Sequence, residues 1–86
     1  MEAIVWNELK NKRLKKTRGV SFEELIKNGE LIGIREHPSR TLQKIMLFKY
    51  KSYIWVVPFM ANENQRFLKT LYPSRKYTKL FREGRL

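Results

Sequence analysis

Residues 53–61, Tyr-Ile-Trp-Val-Val-Pro-Phe-Met-Ala, form the longest apolar run in the chain. The run has the length of a strand and falls far short of the roughly 18 residues that cross a bilayer. Aromatic and β-branched side chains fill it, as suits a pleated strand. In that conformation Tyr53, Trp55, Val57 and Phe59 point one way and Ile54 and Val56 the other. A strand that is apolar on both faces belongs in the middle of a sheet. Pro58 has no N–H to donate, so it is expected at a bulge or near the strand end.

The flanking segments supply the neighbours. Leu31, Ile32 and Ile34 suggest a short strand that His37-Pro38-Ser39 breaks. Residues 43–50 read as a further strand, Lys51-Ser52 as a short turn, and residues 66–72 as a last strand, with Asn62-Glu63-Asn64 as the loop before it. Pro73-Ser74 then turns the chain into a helix whose core face is Tyr77, Leu80 and Phe81, at i, i+3 and i+4. At the other end, Ala3-Ile4-Val5-Trp6 is extended. Asn7 caps a polar helix that runs to about Arg18 and stops at Gly19; Leu9 and Leu14 are its apolar residues. Ser21-Phe22-Glu23-Glu24 is a capping box opening a second helix to about Lys27, with Phe22, Leu25 and Ile26 inward and Asn28-Gly29 as its end. Trp55, Phe59, Phe67 and Phe81 are assigned to the core. Consecutive strands with short links pair antiparallel. The expectation is one α+β domain over residues 1–86: an antiparallel sheet of about four strands, two helices before it and one after, the helices packed on one face.

Composition narrows the chemistry. There is no cysteine and a single histidine, His37, so disulfides, thiolate metal sites and multi-histidine sites within one chain are excluded, and no cofactor is expected. No signal peptide opens the chain and no membrane span is present, so a soluble cytoplasmic protein is expected. Nineteen Lys and Arg against eight Asp and Glu give a net charge of +11. A surface kept soluble by charge alone mixes both signs, whereas this excess favours a polyanion or an acidic protein as partner. No basic helix carries the strong apolar face a membrane-surface role needs. Nucleic acid is the favoured partner.

The cations are concentrated. Lys10, Lys12, Arg13, Lys15, Lys16 and Arg18 crowd the first helix, with Lys12, Lys15 and Lys16 on one face. A solvated surface explains that run about as well as RNA binding does. The second group is Arg66, Lys69, Arg75, Lys76, Lys79, Arg82 and Arg85. Arg75, Lys79 and Arg82 form a stripe on the last helix. Helix dipoles favour acids in the first turn, yet Ser74-Arg75-Lys76 places two cations there, so the corner reads as a phosphate site. Tyr72 and Tyr77 flank it and are placed to stack on a base or supply a phenol.

No nucleophilic cysteine, P-loop, GxGxxG or GxSxG is present, and Glu23 and Glu24 are accounted for by capping. RNA cleavage by its own 2′-hydroxyl remains open, since it needs geometry, charge stabilisation and proton transfer. His37, in a strand-end loop before Pro38, reads as a solvated histidine rather than a base.

Trp6-Asn7 with Lys10, then Arg18-Gly19-Val20-Ser21-Phe22-Glu23-Glu24, and later Ser74-Arg75-Lys76, together resemble the BrnT toxins. In that family Trp-Asp opens the first helix, His-Gly-Val-Ser-Phe-Glu-Glu opens the second, and Ser-Ala-Arg-Lys lies between the last strand and the final helix. Asn7 stands for the Asp, Arg18 for the His, and Pro73-Ser74 for the Ser-Ala. The resemblance implies a RelE-like fold, ribonuclease activity that arrests translation, and a neighbouring antitoxin with a ribbon-helix-helix DNA-binding half, through which the toxin meets DNA. It carries Arg75 and Lys76 over as active-site candidates. With histidine absent at position 18, it leaves a reaction driven by Lys, Arg and Tyr, or an inactive relative. The combined expectation is a metal-independent endoribonuclease toxin. Arg75, Lys76, Tyr77 and Lys69 are its catalytic candidates. Arg66, Tyr72, Ser74, Lys79, Arg82, Lys12, Lys15 and Lys16 are its RNA-binding candidates. A non-catalytic RNA- or DNA-binding module, or a decayed toxin acting as co-repressor, is the alternative.

Overall fold

A computed structural model describes residues 3–86. The elements are β1 (Ala3–Trp6), α1 (Glu8–Arg18), α2 (Phe22–Asn28), β2 (Glu30–Glu36), β3 (Lys44–Tyr50), β4 (Tyr53–Ala61), β5 (Gln65–Leu68), β6 (Tyr72–Pro73) and α3 (Arg75–Arg82). The sheet runs β1-β5-β4-β3-β2, with β6 on β4 beyond the end of β5. The α+β class holds, but the sheet is larger than expected and mixed. β1 joins it by pairing parallel with β5, Ala3 opposite Gln65 and Trp6 opposite Leu68.

The double apolar face of β4 organises everything else. Trp55, Val57 and Phe59 enter one core with Met46 and Phe48 of β3, Leu14 of α1, and Phe22 and Leu25 of α2. Ile54 and Val56 enter a second core with Ile45 and Leu47, against which Tyr72, Tyr77 and Phe81 pack. The helices therefore do not share a face, as the sequence had suggested: α1 and α2 cover one side and α3 the other. Both faces of β3 and β4 are aliphatic or aromatic, and helices on one side would have left the other wet. Each fully buried side chain of this size contributes about 1.5–3 kcal/mol.

Pro58 sits mid-strand opposite Ile45. Its carbonyl accepts from Lys69 N–H at 2.8 Å. In a strand the nitrogen and oxygen of one residue face the same neighbour, so the missing donor also falls on the β5 side. The ladder is interrupted there. What the sequence presents as one strand over 66–72 is β5, a link at 69–71 that buries Leu71 completely, and β6.

The helix ends match their local chemistry. Asn7 Oδ1 accepts from Lys10 N–H at 3.0 Å, and Gly19 closes α1 in the left-handed region at φ 77°. The Ser21–Glu24 capping box forms in full. Ile26 is the exception on α2; this short helix lies over β2 and β3 near the sheet edge, and Ile26 stays exposed at its rim. On α3, Thr78 is buried while Leu80 is half-exposed, because the Thr78 hydroxyl accepts from Ile54 N–H at 2.9 Å and donates to Ser74 C=O at 2.6 Å. That pair of bonds clamps α3 to β4. No helix among the described residues is long and apolar enough to cross a membrane.

Candidate functional site

A cleft of about 310 Å³ opens where four separate segments meet. The first turn of α1 contributes Lys10, and the β2–β3 loop contributes His37, Arg40 and Gln43. Lys69 and Thr70 of the β5–β6 link and Tyr72 of β6 complete it around Pro58. Each segment is fixed by its own chemistry. Asn7 starts α1 and so sets Lys10. The Pro58 interruption lifts residues 69–71 out of the ladder and turns Lys69 and Thr70 toward the opening. The loop over 37–43 is tied by His37 N–H to Gln43 C=O at 3.1 Å and by Gln43 N–H to Arg40 C=O at 3.2 Å.

His37 is integral to that loop. Its Nδ1 accepts from the backbone N–H groups of Ser39 and Arg40, both at 3.1 Å. The neutral ring accordingly carries its hydrogen on Nε2, which is a donor. Tyr72 is a donor as well: burial pushes its phenol above the ordinary tyrosine range, and the neighbouring Tyr77 adds to the shift. Among the described residues, Lys10, Arg40 and Lys69 make no ion pair with a carboxylate, and no carboxylate lines the cleft. Lys69 Nζ lies 5.4 Å from the centre of the Phe67 ring. The cleft thus gathers an imidazole N–H, a phenol and three cations, with no counter-charge among the described residues. Such a space accepts an anion of phosphate type, and its donors are placed to stabilise negative charge developing there.

The structure separates the candidates that the sequence grouped. Lys69 and Tyr72 lie in the cleft. Arg75, Lys79 and Arg82 line a different cavity on the α3 side, together with Tyr53 and Thr78. Lys76 Nζ lies 5.5 Å from the Tyr77 ring centre. The Ser74 hydroxyl is engaged as a helix cap, accepting from Tyr77 N–H at 3.1 Å, which takes one of its two acceptor lone pairs. Arg66 stacks on Phe59 with its guanidinium carbon 5.6 Å from the ring centre. Lys12, Lys15 and Lys16 are on α1, across the sheet from α3. Lys12, Lys15 and Lys16 are all exposed, and Lys15 also pairs with Glu24 and reaches Gly19 C=O at 3.4 Å, which ties it to the α2 cap. That bond is the first cause holding the Glu24 carboxyl below its ordinary range; donors from Tyr50 and the Ser21 backbone add to it.

Of the cleft's cations and its imidazole, Lys10, Arg40 and His37 were not among the site candidates drawn from sequence. His37 had a signal, being the only histidine, and a capped loop gives it a role that a solvated histidine lacks. Lys10 stood out in the basic run of α1 and beside Trp6-Asn7 but was not drawn as a site residue, and Arg40 had no signal, because their relation to Lys69 exists only in the fold. Among the described residues no group of histidine, cysteine or carboxylate side chains is arranged to hold a metal ion. Comparison of the chain with protein-family models, curated proteins and solved structures finds no match.

Proposed function

We propose that this chain is an endoribonuclease working without a metal ion, and that it is the toxin of a toxin–antitoxin pair. The observation that carries the reading is the cleft, where His37, Tyr72, Lys10, Arg40 and Lys69 line one space of about 310 Å³, ample for a phosphodiester. In the proposed reaction the ribose 2′-oxygen attacks the adjacent phosphorus, the 5′-oxygen leaves, and a 2′,3′-cyclic phosphate forms. Lys69, Arg40 and Lys10 stabilise the negative charge on the phosphorane oxygens. The His37 Nε2–H and the Tyr72 hydroxyl donate hydrogen bonds, with Tyr72 placed to protonate the leaving oxygen. The 2′-hydroxyl proton passes to solvent, since the ring nitrogen that could take it is occupied by the loop backbone. A divalent cation is disfavoured by the same charges that attract the phosphate. Arg75, Lys76, Tyr77, Lys79 and Arg82 belong in this reading to RNA binding on the α3 side. The antitoxin would be a protein with an acidic surface, which the net charge of +11 favours.

One observation favours a second reading. A cleft rich in cations and donors binds phosphate as well as it cleaves RNA, so a non-catalytic RNA-binding module fits the same geometry. Induced expression in a bacterial host separates the two, comparing wild type with Lys69→Ala. Growth arrest with fragmented RNA in wild type alone supports the ribonuclease. Normal growth and intact RNA with soluble protein present supports the binding module.

A further inference from the structure

We propose that the cavity between α3 and the β3–β4 turn is a nucleotide subsite that holds one base and its phosphate; its role in guiding RNA to the cleft rests on the reading above. Two adjoining cavities, of about 210 and 380 Å³, share Tyr53, Thr78 and Arg82 as lining residues. The inner one is bounded by Ile54 and Phe81, the outer one by Arg75 and Lys79. Among the described residues, the only carboxylate lining either cavity is Glu83, which is paired with Arg85 at 3.6 Å. An apolar and aromatic recess beside clustered cations matches a base attached to a phosphate.

Two details sharpen the assignment. The Thr78 hydroxyl spends its only donor on Ser74 C=O, so donation to an anion falls to the cations. Arg82 Nη2 donates to Ser52 C=O at 3.3 Å, which orients the guanidinium while its other N–H donors remain for an anion. Ser52 belongs to a turn in which Lys51 and Ser52 both adopt left-handed backbone, φ 53° and 62°. Asn-Gly is the favoured pair for such a turn, and neither residue here relieves the strain. The strained turn presents the Ser52 carbonyl that holds Arg82.

The subsite lies on the same track as the cleft. β6 follows β4 from Val56 opposite Tyr72 to the Ser74 N–H donating to Ile54 C=O at 2.9 Å. From Pro58 in the cleft to Ile54 in the cavity is four strand residues, about 13 Å. Tyr72 and Tyr77 bridge that interval. An extended single strand of RNA spans it with one nucleotide at each end.

Amide NMR of the intact protein, titrated in parallel with uridine monophosphate, uridine, inorganic phosphate and a short poly-glutamate peptide, tests the assignment. The expected result is saturable shifts at Ser52, Tyr53, Thr78 and Arg82 with the monophosphate. Its affinity should be about tenfold above that of phosphate or uridine alone, and about tenfold lower in Arg82→Gln. The proposal is overturned if phosphate alone binds as tightly, if the peptide competes equally, if shifts are confined to the cleft, or if Arg82→Gln changes nothing while the rest of its spectrum is native. The titration needs no cleavage, so a failed ribonuclease reading leaves its outcome intact. RNA cleavage without nucleotide binding here would remove the subsite alone.

Discussion

Nδ1 of His37 accepts the backbone N–H of Arg40 at 3.1 Å. Together with the bond from Ser39 N–H, this occupies the ring lone pair on that side and leaves Nε2–H facing outward from the loop. His37 is therefore a donor that also fastens its own loop, and a role as general base would require breaking both bonds. RNA cleavage should consequently rise about tenfold per pH unit across neutrality, following the availability of a solvent base. A plateau or a bell-shaped profile near neutral pH, measured under single-turnover conditions, would mean that an imidazole does take the proton.

Substituting that histidine separates its two functions. In His37→Asn the amide oxygen remains able to accept from N–H groups two and three residues on, as Asn side chains do in turns. The Nε2 donor is lost. The variant should fold with near-native stability and cleave RNA about 100-fold more slowly, the scale for removing one donor to a developing anion. Equal cleavage by the variant, in a gel assay at fixed enzyme concentration, would remove His37 from the site.

Asn11 joins the two N-terminal helices. Its Oδ1 accepts from Phe22 N–H at 2.8 Å while Nδ2 donates to Glu8 at 3.0 Å and Glu23 at 2.5 Å. It is almost fully buried, so Asn11→Ala leaves the first N–H of α2 without a partner. A loss of about 1–3 kcal/mol in urea unfolding is expected. A loss below 0.5 kcal/mol, about the range of an ordinary surface change, would show that water or the backbone takes over.

Glu24 makes stability acid-sensitive. Its carboxyl is held below the ordinary value of 4.5 by Lys15 first, then by Tyr50 and Ser21 N–H. A depressed folded value means the unfolded chain binds the proton more readily. The contribution is complete above pH 4.5 and is lost as pH falls through the lower folded value. Thermal unfolding followed from neutral pH down to about pH 3 should show a steeper decline for wild type than for Glu24→Gln. Parallel curves would contradict the network.

The β3–β4 turn stores strain that a better pair would relieve. Replacing Lys51-Ser52 by Asn-Gly puts permissive residues at both left-handed positions and should raise stability by about 1–2 kcal/mol. Because the Ser52 carbonyl is backbone, its bond to Arg82 survives the exchange. Chemical denaturation that shows no gain would mean the turn is already relaxed.

Much of the scaffold was legible because its causes are local. The alternation in residues 53–59, the Asn7 cap, the Gly19 stop and the Ser21–Glu24 box each act within a few residues, and each forms as read. The misplacement of α3 was avoidable: apolar side chains on both faces of β4 already demanded cover on both. Other features were not available locally. The parallel β1–β5 pairing joins segments some sixty residues apart, Ala3 with Gln65. The break between β5 and β6 is caused by a proline in another strand. The cleft shows the same limit. Lys69 and Tyr72 stood out by their surroundings in sequence, whereas Lys10 and Arg40 gain meaning only when Pro58 lifts the link toward them.

Incubating the purified chain with single-stranded RNA in excess chelator, and identifying the new ends by mass spectrometry, tests the central claim most directly. Wild type is expected to form fragments ending in 2′,3′-cyclic phosphate, reduced at least about 100-fold in Lys69→Ala. RNA that is bound with steep salt dependence yet stays intact, or fragments ending in 3′-hydroxyl, would contradict the claim.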